Sequence, residues 1–399
     1  MSTVANDSLT PIRIGNFMDS PLEDLEKKGN LSEAVRLYNP NGGAERVVHF
    51  TPSAGDLRFR DMFAENRIDL EPYFRVSHPT SRYRRQHLPE ALGHIYRVFK
   101  SRRINVVRGR LPYVGSLLGC SVARLLGIPS VVSLGGDNRI SQEQTGRYYF
   151  GSRRLSYGWE AFVLRLCDVI IAPNAFTQRY VARIIGAEPA SRKVTIIPWI
   201  LPESMEIASD PDLLSALGLE PTIPLVLTVG FLNEYKHSDI MFEVALRSSV
   251  DSPSACQFAF CGDGPLRKRG EETLGHLPNV HFLGFRKHDT VLKLIKQSTA
   301  VLVPMSGFVL LEAAAIGTPV IVSNLEWHSE VIQDGRTGYI VRARSVEDWH
   351  EKLRCVLADT ASARAMAKRL RHLYRAHYDP KMLLDKELAL YRELVDRPK

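Results

Sequence analysis

Short apolar segments that end at glycine or proline recur along this chain, and most of them precede a stretch with helical periodicity. Val169–Ala172 and Leu225–Val229 are two such segments, and their continuous apolar character is typical of strands buried on both faces. A helical period follows from Leu88 to Phe99, where every third or fourth residue is apolar. Strands that alternate with amphipathic helices predict an α/β fold with parallel sheets covered on both sides.

The alternation is interrupted once, at Pro198–Ser204, where two prolines indicate a linker. The 399 residues exceed one ordinary core and fit two domains of about 200 residues. We predict two facing, Rossmann-like, doubly wound domains at 1–204 and 205–380, with a C-terminal helix at 381–399 that returns to the N-terminal domain. Ligands of parallel sheets bind outside the carboxyl ends of the strands, so we expect the chemistry in a cleft between the two domains.

Several classes of protein are disfavoured by composition. The sequence contains no run of eighteen apolar residues, so it predicts no membrane-spanning helix. Its first residues lack the basic segment and the apolar segment of a secretory signal. The five cysteines are scattered without a Cys-x-x-Cys pair, which indicates reduced thiols rather than disulfides or a zinc site. These features together predict a cytoplasmic protein.

Positive charge is concentrated in the first half of the chain. Residues 1–200 hold 28 lysines and arginines against 18 acidic residues, whereas the remainder holds 24 against 26. The excess is greatest between Arg75 and Arg110, where Glu90 is the single acidic residue. Such a patch attracts phosphate groups, although a solvated charged face is the other interpretation. A nucleic-acid function is disfavoured, because aromatic residues do not alternate with these arginines as a base-stacking surface requires.

Gly262-Asp-Gly-Pro265 joins an apolar strand to a helix that is expected to begin near Leu266. Glycines allow a sharp turn and the close approach of a ligand to the backbone. The N–H groups at the start of the helix favour phosphate. The turn therefore predicts an anion site at Gly262 and Gly264, while a tight turn without a ligand stays open as an alternative.

The segment after the strand Ala300–Val303 is the second candidate site. Ser306 and Gly307 open a helix, and the N–H groups near Phe308 and Val309 are expected to face the ligand. Glu312 lies in the first two turns of this otherwise apolar helix. Its carboxylate could accept two hydroxyl hydrogen bonds from a ribose diol, or serve only as favourable charge near the helix N-terminus.

The second half of the chain, from Leu225 to Val341, resembles the donor-binding half of family 4 glycosyltransferases, which have the fold called GT-B. An ordered set of short motifs carries the resemblance: Val229–Lys236, Cys261–Pro265, Phe282–Phe285, Gly307–Ala313, Gly317–Ile321 and Glu330–Gly338. The first half resembles the family mainly through Gly127-Ile-Pro129 and the alternation of strands and helices.

The resemblance assigns roles to individual residues. Lys236 corresponds to a lysine that contacts the donor diphosphate, and Glu312 to a glutamate that binds the ribose. Phe285 and Arg286 correspond to the loop that receives the base. The remaining donor-binding positions are Gly230, Gly262, Gly264, Ser306, Gly307, Phe308 and Val309. The co-substrate would be a UDP- or GDP-linked sugar and no metal would be needed, because a lysine and helix dipoles take the place of magnesium.

Three positions depart from the family pattern. Phe231 replaces an arginine, and Pro304 replaces an acidic residue eight positions before Glu312. Gly135-Gly136-Asp137 stands where the family often has a histidine. Asp137 is a candidate contact to the donor or acceptor sugar, or simply a turn aspartate. These losses leave open a catalytically silent GT-B scaffold protein.

The resemblance implies hexosyl transfer with retention of configuration to a glycan or lipid-linked acceptor. The acceptor is expected on the N-terminal domain, with an anionic surface contacted by Arg82, Arg84, Arg85, Arg102 and Arg103. The same charge predicts peripheral contact with an anionic membrane at the inner face of the plasma membrane. A nucleotide-sugar epimerase of the same fold would instead need acid–base side chains, and the sequence assigns none.

Overall fold

A computed structural model of the chain describes residues 10–19, 22–27, 31–36, 38–74, 87–135, 157–201, 207–208, 210–252, 254–305 and 307–397. Arg82, Arg84, Arg85, Asp137 and Ser306, five of the candidate site residues, lie outside these described residues.

Thirteen strands are present in the described residues. They are β1 Arg13–Phe17, β2 Arg46–Thr51, β3 Ile68–Pro72, β4 Val106–Arg110, β5 Ser130–Ser133, β6 Val169–Ala172, β7 Val194–Ile196, β8 Leu225–Val229, β9 Gln257–Cys261, β10 Val280–Gly284, β11 Ala300–Val303, β12 Val320–Ser323 and β13 Tyr339–Val341.

Seventeen α-helices connect or cover these strands in the same described ranges. They are α1 Leu22–Lys27, α2 Leu31–Arg36, α3 Arg60–Glu65, α4 Leu88–Arg102, α5 Val114–Leu126, α6 Tyr157–Leu166, α7 Ala175–Ile185, α8 Ala187–Lys193, α9 Leu213–Ala216, α10 Ser238–Asp251, α11 Arg267–Leu274, α12 His288–Gln297, α13 Phe308–Ile316, α14 His328–Val331, α15 Val346–Ala358, α16 Thr360–His377 and α17 Pro380–Asp396. None of these described helices is both long and apolar enough to cross a membrane.

The chain divides into two compact units. The described residues of the first unit fall within 10–135, 157–200 and 381–397, and those of the second within 201–380. The first unit therefore combines the N-terminal half of the chain with most of the last helix, α17.

Each unit contains one sheet, and all of its described pairs are parallel. The strand order is β3-β2-β1-β4-β5-β6-β7 in the first unit and β10-β9-β8-β11-β12-β13 in the second. In each sheet the chain adds strands on one side of its first strand and then on the other side. This reversal point lies between β1 and β4 in the first sheet and between β8 and β11 in the second. The predicted α/β architecture with Rossmann-like parallel sheets is confirmed, and the reversal points mark where ligands of such sheets bind.

The last helix, α17, packs on the sheet of the first unit. Leu388, Tyr391 and Leu394 join the same buried cluster as Ile14 and Val106. Such packing of an apolar helix face supplies most of the stability of helices in proteins.

A buried ion pair lies within the same contact. Arg108 Nη2 on β4 is 2.7 Å from Glu387 Oε1 on α17, and the side chains are 6% and 3% exposed. The Tyr391 hydroxyl donates a 2.5 Å hydrogen bond to Glu387 as well. The second basic group, Arg110, lies 5.0 Å from the ring of Tyr38. Burial and the neighbouring Arg108 charge lower the pKa of Arg110, so Glu387 opposes a local excess of positive charge.

Candidate functional site

The glycine loops after β8 and β9 are in backbone contact. Gly262 and Gly264 have φ values of +152° and +156°. A Cβ atom on Gly262 would lie 1.8 Å from the Gly230 carbonyl oxygen, and one on Gly264 would lie 2.4 Å from the Leu232 carbonyl oxygen. The N–H of Leu232 donates a 2.8 Å hydrogen bond to the carbonyl oxygen of Asp263. Both glycines are therefore required by the neighbouring backbone, whichever ligand the loops bind.

Gly230 differs from these two glycines. It has a φ of +146°, but no heavy atom lies within 4 Å of its Cβ position. Phe231, which follows it, is 50% exposed. The carboxyl end of β8, at the reversal point of the second sheet, is thus open at Gly230 and bordered by an aromatic side chain.

Lys236 follows the same loop, just before α10. Its backbone N–H donates a 2.8 Å hydrogen bond to Asn233 Oδ1, and its ammonium lies 5.4 Å from the ring of Tyr235. A Cβ atom on Gly307 would lie 3.9 Å from Lys236 Nζ. The loops after β8 and β11 therefore meet, and they bring together Lys236 and Gly307, two residues that the sequence assigns to one site.

The charge of Lys236 is affected by burial and by a carboxylate. Burial lowers the pKa of Lys236, and the weaker influence of Glu326 raises it. Glu326 itself adopts a φ of +51°, which is uncommon for a residue with a side chain. A partly desolvated ammonium interacts with an anion more strongly than one in water does, so this position suits a bound diphosphate.

Helix α13 begins as the sequence predicts. Gly307 is its N-cap and Gly317, with a φ of +87°, is its C-cap. Phe308 and Val309 occupy the first turn, and Phe308 is 52% exposed. The backbone N–H groups of this first turn have no partners within the helix, which makes them available to an anion.

Glu312 is the fifth residue of α13 and is 7% exposed. Its Oε1 atom lies 2.8 Å from Nε2 of His288, the first residue of α12. That Glu312 also binds a ribose stays a prediction. His288 was not among the candidate residues, although it follows directly after the loop formed by Phe285 and Arg286.

Phe285 and Arg286 lie at the carboxyl end of β10. The Phe285 side chain is 53% exposed, and Arg286 Nη1 donates a 3.2 Å hydrogen bond to the Phe285 carbonyl oxygen. Since β10 and β9 are paired, this loop lies next to the loop of Gly262, whose N–H donates to the Gly284 carbonyl oxygen at 2.9 Å.

His328 adds a buried imidazole near Lys236. It begins α14 after β12, and its Nδ1 atom lies 3.0 Å from the Ser323 carbonyl oxygen. Since a carbonyl can only accept, Nδ1 carries the proton. Burial and, to a smaller extent, the Lys236 charge lower the pKa of His328 to about 4, although its hydrogen bond to the Ser323 carbonyl raises it. The ring is therefore neutral at pH 7, and its Nε2 atom has no hydrogen-bond partner among the described residues.

In the first unit, Asp19 lies just beyond the carboxyl end of β1, at the reversal point of that sheet. Its Oδ1 atom accepts a 2.7 Å hydrogen bond from the Gly115 N–H and a 3.0 Å bond from the Tyr73 hydroxyl. Burial raises the pKa of Asp19 to about 6, although both hydrogen bonds lower it. No sequence pattern pointed to this residue.

The raised pKa of Asp19 makes stability depend on pH. The folded state favours the protonated carboxyl. The free energy of unfolding therefore falls by at most about 3 kcal/mol as the pH rises from 4 to 6, and this contribution is constant above pH 6. Asp19→Asn keeps an acceptor oxygen but has no charge. We subtract the melting temperature of the unchanged protein from that of Asp19→Asn at each pH. This difference should be several degrees larger at pH 7.5 than at pH 4. A relative melting temperature that is the same at both pH values would contradict this assignment.

The two described members of the predicted acceptor surface lie elsewhere. Arg102 ends α4 and Arg103 is its C-cap, so both precede β4 at its amino end. Arg102 Nε lies 3.7 Å from Asp69 Oδ2, early in β3. The two arginines are thus at the opposite edge of the sheet from Asp19, and their role with the acceptor stays a prediction. Within the described ranges, histidine, cysteine and carboxylate side chains form no group of three that could hold a metal ion.

Similarity to known proteins extends over most of the chain. Residues 42–199 match the family described as Glycosyltransferase Family 4, and residues 211–373 match Glycosyl transferases group 1. An alpha-D-kanosaminyltransferase of Streptomyces kanamyceticus is 23% identical over 284 residues, which are 68% of this chain and 72% of that protein. A sulfoquinovosyl transferase of Arabidopsis thaliana is 30% identical over 159 residues, but the match spans only 38% of this chain and 30% of that protein.

Among solved structures, the HepE protein of Anabaena in complex with UDP superposes with a TM-score of 0.75 and 15% identity. The superposition covers 96% of this chain and 100% of that one. At this identity the likeness establishes the fold, which is GT-B.

Proposed function

Because the chain belongs to the family 4-like glycosyltransferases, we propose that it transfers a hexosyl group from a UDP-linked sugar to a hydroxyl of a glycan or lipid-linked acceptor. We propose retention of configuration at the anomeric carbon. In this proposal the second unit binds the donor. The acceptor binds the first unit, to which most of α17 belongs.

One observation carries the proposal. Lys236 Nζ lies beside Gly307, the N-cap of α13. A cation thus lies beside a helix N-terminus at the reversal point of a parallel sheet. This combination suits a diphosphate. Glu312, one and a half turns further along the helix, suits the ribose that is joined to it.

The chemistry needs no covalent intermediate. The leaving phosphate oxygen can accept the proton of the acceptor hydroxyl on the same face of the sugar, which retains the configuration. The Lys236 ammonium and the N–H groups of Gly307, Phe308 and Val309 would offset the charge that develops on the departing diphosphate. Catalysis then depends on positioning and electrostatic stabilisation.

UDP is the proposed nucleotide because HepE, which shares the fold, was crystallised with UDP and with UDP-glucose. The loop of Phe285 and Arg286 would receive the base, largely through its backbone. We also propose that the basic segment between Arg75 and Arg110 favours an anionic acceptor, such as a lipid-linked diphosphate at a membrane surface.

A thermal-shift titration with UDP, GDP, ADP and CMP tests the donor site. We expect UDP to raise the melting temperature, because a ligand at 100 times its dissociation constant stabilises by about 2.7 kcal/mol. Glu312→Ala should lose most of this shift, since it removes the carboxylate that faces the ribose.

Two outcomes would contradict the proposal. A shift with GDP but not with UDP would replace UDP by GDP as the proposed nucleotide, but the proposed donor site would stand. No shift with any nucleotide would favour a catalytically silent scaffold, which hydrolysis of a nucleotide sugar or its transfer would exclude. Glu272→Ala, a change at an exposed residue of α11, is the matched control and should leave the shift unchanged.

A further inference from the structure

Glu312 is held by a histidine from a neighbouring helix. The Oε1 atom of Glu312 lies 2.8 Å from Nε2 of His288, and the two side chains are 9% and 21% exposed. Helices α12 and α13 pack against each other, so both backbones are fixed. A carboxylate can only accept a hydrogen bond, so His288 donates it through Nε2–H, in either its neutral or its charged form.

This contact removes freedom that Glu312 would otherwise have. A glutamate side chain has three rotatable bonds, and fixing them when a ligand binds costs free energy. A carboxylate whose orientation is set beforehand avoids this cost at the moment of binding. Each carboxylate oxygen accepts more than one hydrogen bond, so the bond from His288 leaves sites for two hydroxyl groups.

The environment of Glu312 makes the partner necessary. The other residues of α13 are apolar apart from its two capping glycines, and Leu311 and Ala313 on either side of Glu312 are buried. A carboxylate in such surroundings is costly without hydrogen bonds. His288 is the residue for which the structure gives a hydrogen bond to Glu312 within the described ranges.

We propose that His288 is the positioning residue for ribose recognition: it orients the Glu312 carboxylate toward the 2′ and 3′ hydroxyls of the nucleotide. The inference rests on the proposed function, since it requires a nucleotide at this site. It goes further, because it makes discrimination between ribose and dideoxyribose depend on a residue that does not touch the ribose.

Calorimetric titration of the full chain with UDP and with 2′,3′-dideoxy-UDP tests this role. The unchanged protein should bind UDP at least about tenfold more tightly, because a hydrogen bond to a charged group contributes about 1.5–3 kcal/mol. In His288→Leu this preference should fall to about threefold or less. UDP should bind more weakly to this variant, whereas the affinity for 2′,3′-dideoxy-UDP should not change. In His288→Gln, whose amide can donate to Glu312 from a similar position, most of the preference should return.

Three results would overturn the proposal. An unchanged preference in His288→Leu would mean that Glu312 is oriented without His288. Equal weakening of both ligands would indicate a general structural role. Tighter binding of UDP would mean that His288 occupies the place of the ribose and competes with it. If the leucine variant does not fold, His288→Asn, whose amide is too short to reach Glu312, replaces it.

Two controls separate this test from that of the function itself. His276→Leu changes an exposed histidine of the same unit and should leave both affinities unchanged. Failure of the unchanged protein to bind either ligand would refute the proposed UDP site, whereas binding of both with equal affinity would refute ribose recognition by Glu312 and, with it, the role of His288.

Discussion

Lys236→Ala is expected to lower the rate of sugar transfer, or of donor hydrolysis, by about 100- to 1,000-fold, the usual effect of removing one group that stabilises a developing charge. The Lys236 ammonium lies beside the N-cap of α13 and is partly buried, so its interaction with a diphosphate is weakly screened. Its loss should affect the leaving group more than ground-state binding, so kcat should fall more than the affinity for the donor.

Release of UDP from a UDP-linked sugar is the measurement for this prediction. Lys236→Arg keeps the charge but changes its geometry, and should retain part of the rate. Lys268→Ala, at a side chain that is 87% exposed on α11, is the matched control and should have no effect. A rate for Lys236→Ala within about threefold of the unchanged protein would show that another group carries this charge.

Glu387→Leu is expected to lower the free energy of unfolding of the first unit by about 3–5 kcal/mol, as found when one partner of a buried ion pair is removed. Arg108 would remain in the interior beside Arg110 without the carboxylate that now opposes both. The Tyr391 hydroxyl would lose its acceptor as well. The change thus combines the loss of a buried ion pair with the loss of a hydrogen bond.

Hydrogen exchange followed by mass spectrometry measures this effect in the first unit separately from the second. Peptides of β1, β2 and β4 should exchange faster in Glu387→Leu. Glu393→Ala, which removes an exposed ion pair with Arg397 on the same helix, should change stability by less than about 1 kcal/mol. Adding Arg108→Met to Glu387→Leu should restore most of the protection, and a further loss would contradict the charge argument.

Three strands of the second sheet were predicted from the sequence. The apolar segments Leu225–Val229 and Ala300–Val303 are β8 and β11 with the same bounds, and the apolar strand before Gly262 is β9. Strands buried on both faces have uninterrupted apolar runs, and each run here ends at a glycine, a proline or a polar turn. The loops after β8 and β11 bring Lys236 close to Gly307.

The first sheet was predicted only in part. The strands β1, β2 and β3 were missed because polar residues interrupt their apolar patterns. Asn16 on β1 and His49 on β2 are fully buried, and they form a 2.6 Å hydrogen bond with each other. Burial and the charges of Arg110 and Arg108 together lower the pKa of His49 to about 3, so the ring is neutral at pH 7. A periodicity that counts apolar residues cannot recognise strands whose polar groups pair across the sheet.

Contacts between distant parts of the chain were also beyond sequence reasoning. Helix α12 was not predicted, so the partner of Glu312 could not be identified, although His288 is only 24 residues away. Asp19 lacks any motif, because the fold alone brings it to its hydrogen-bond donors, Tyr73 just after β3 and Gly115 on α5. Local patterns predict elements, whereas site chemistry depends on which elements the fold makes neighbours.

The docking of α17 also means that, during synthesis, the first unit is completed later than the second. Residues 381–397 are synthesised only after the second unit. Glu387 and Leu388, however, belong to the interior of the first unit. Until residues 381–397 are made, the first unit has all seven described strands of its sheet but lacks the helix that covers Arg108 and its apolar neighbours. Chaperones that bind exposed apolar surface would meet the earlier half of this chain for longer than the later half.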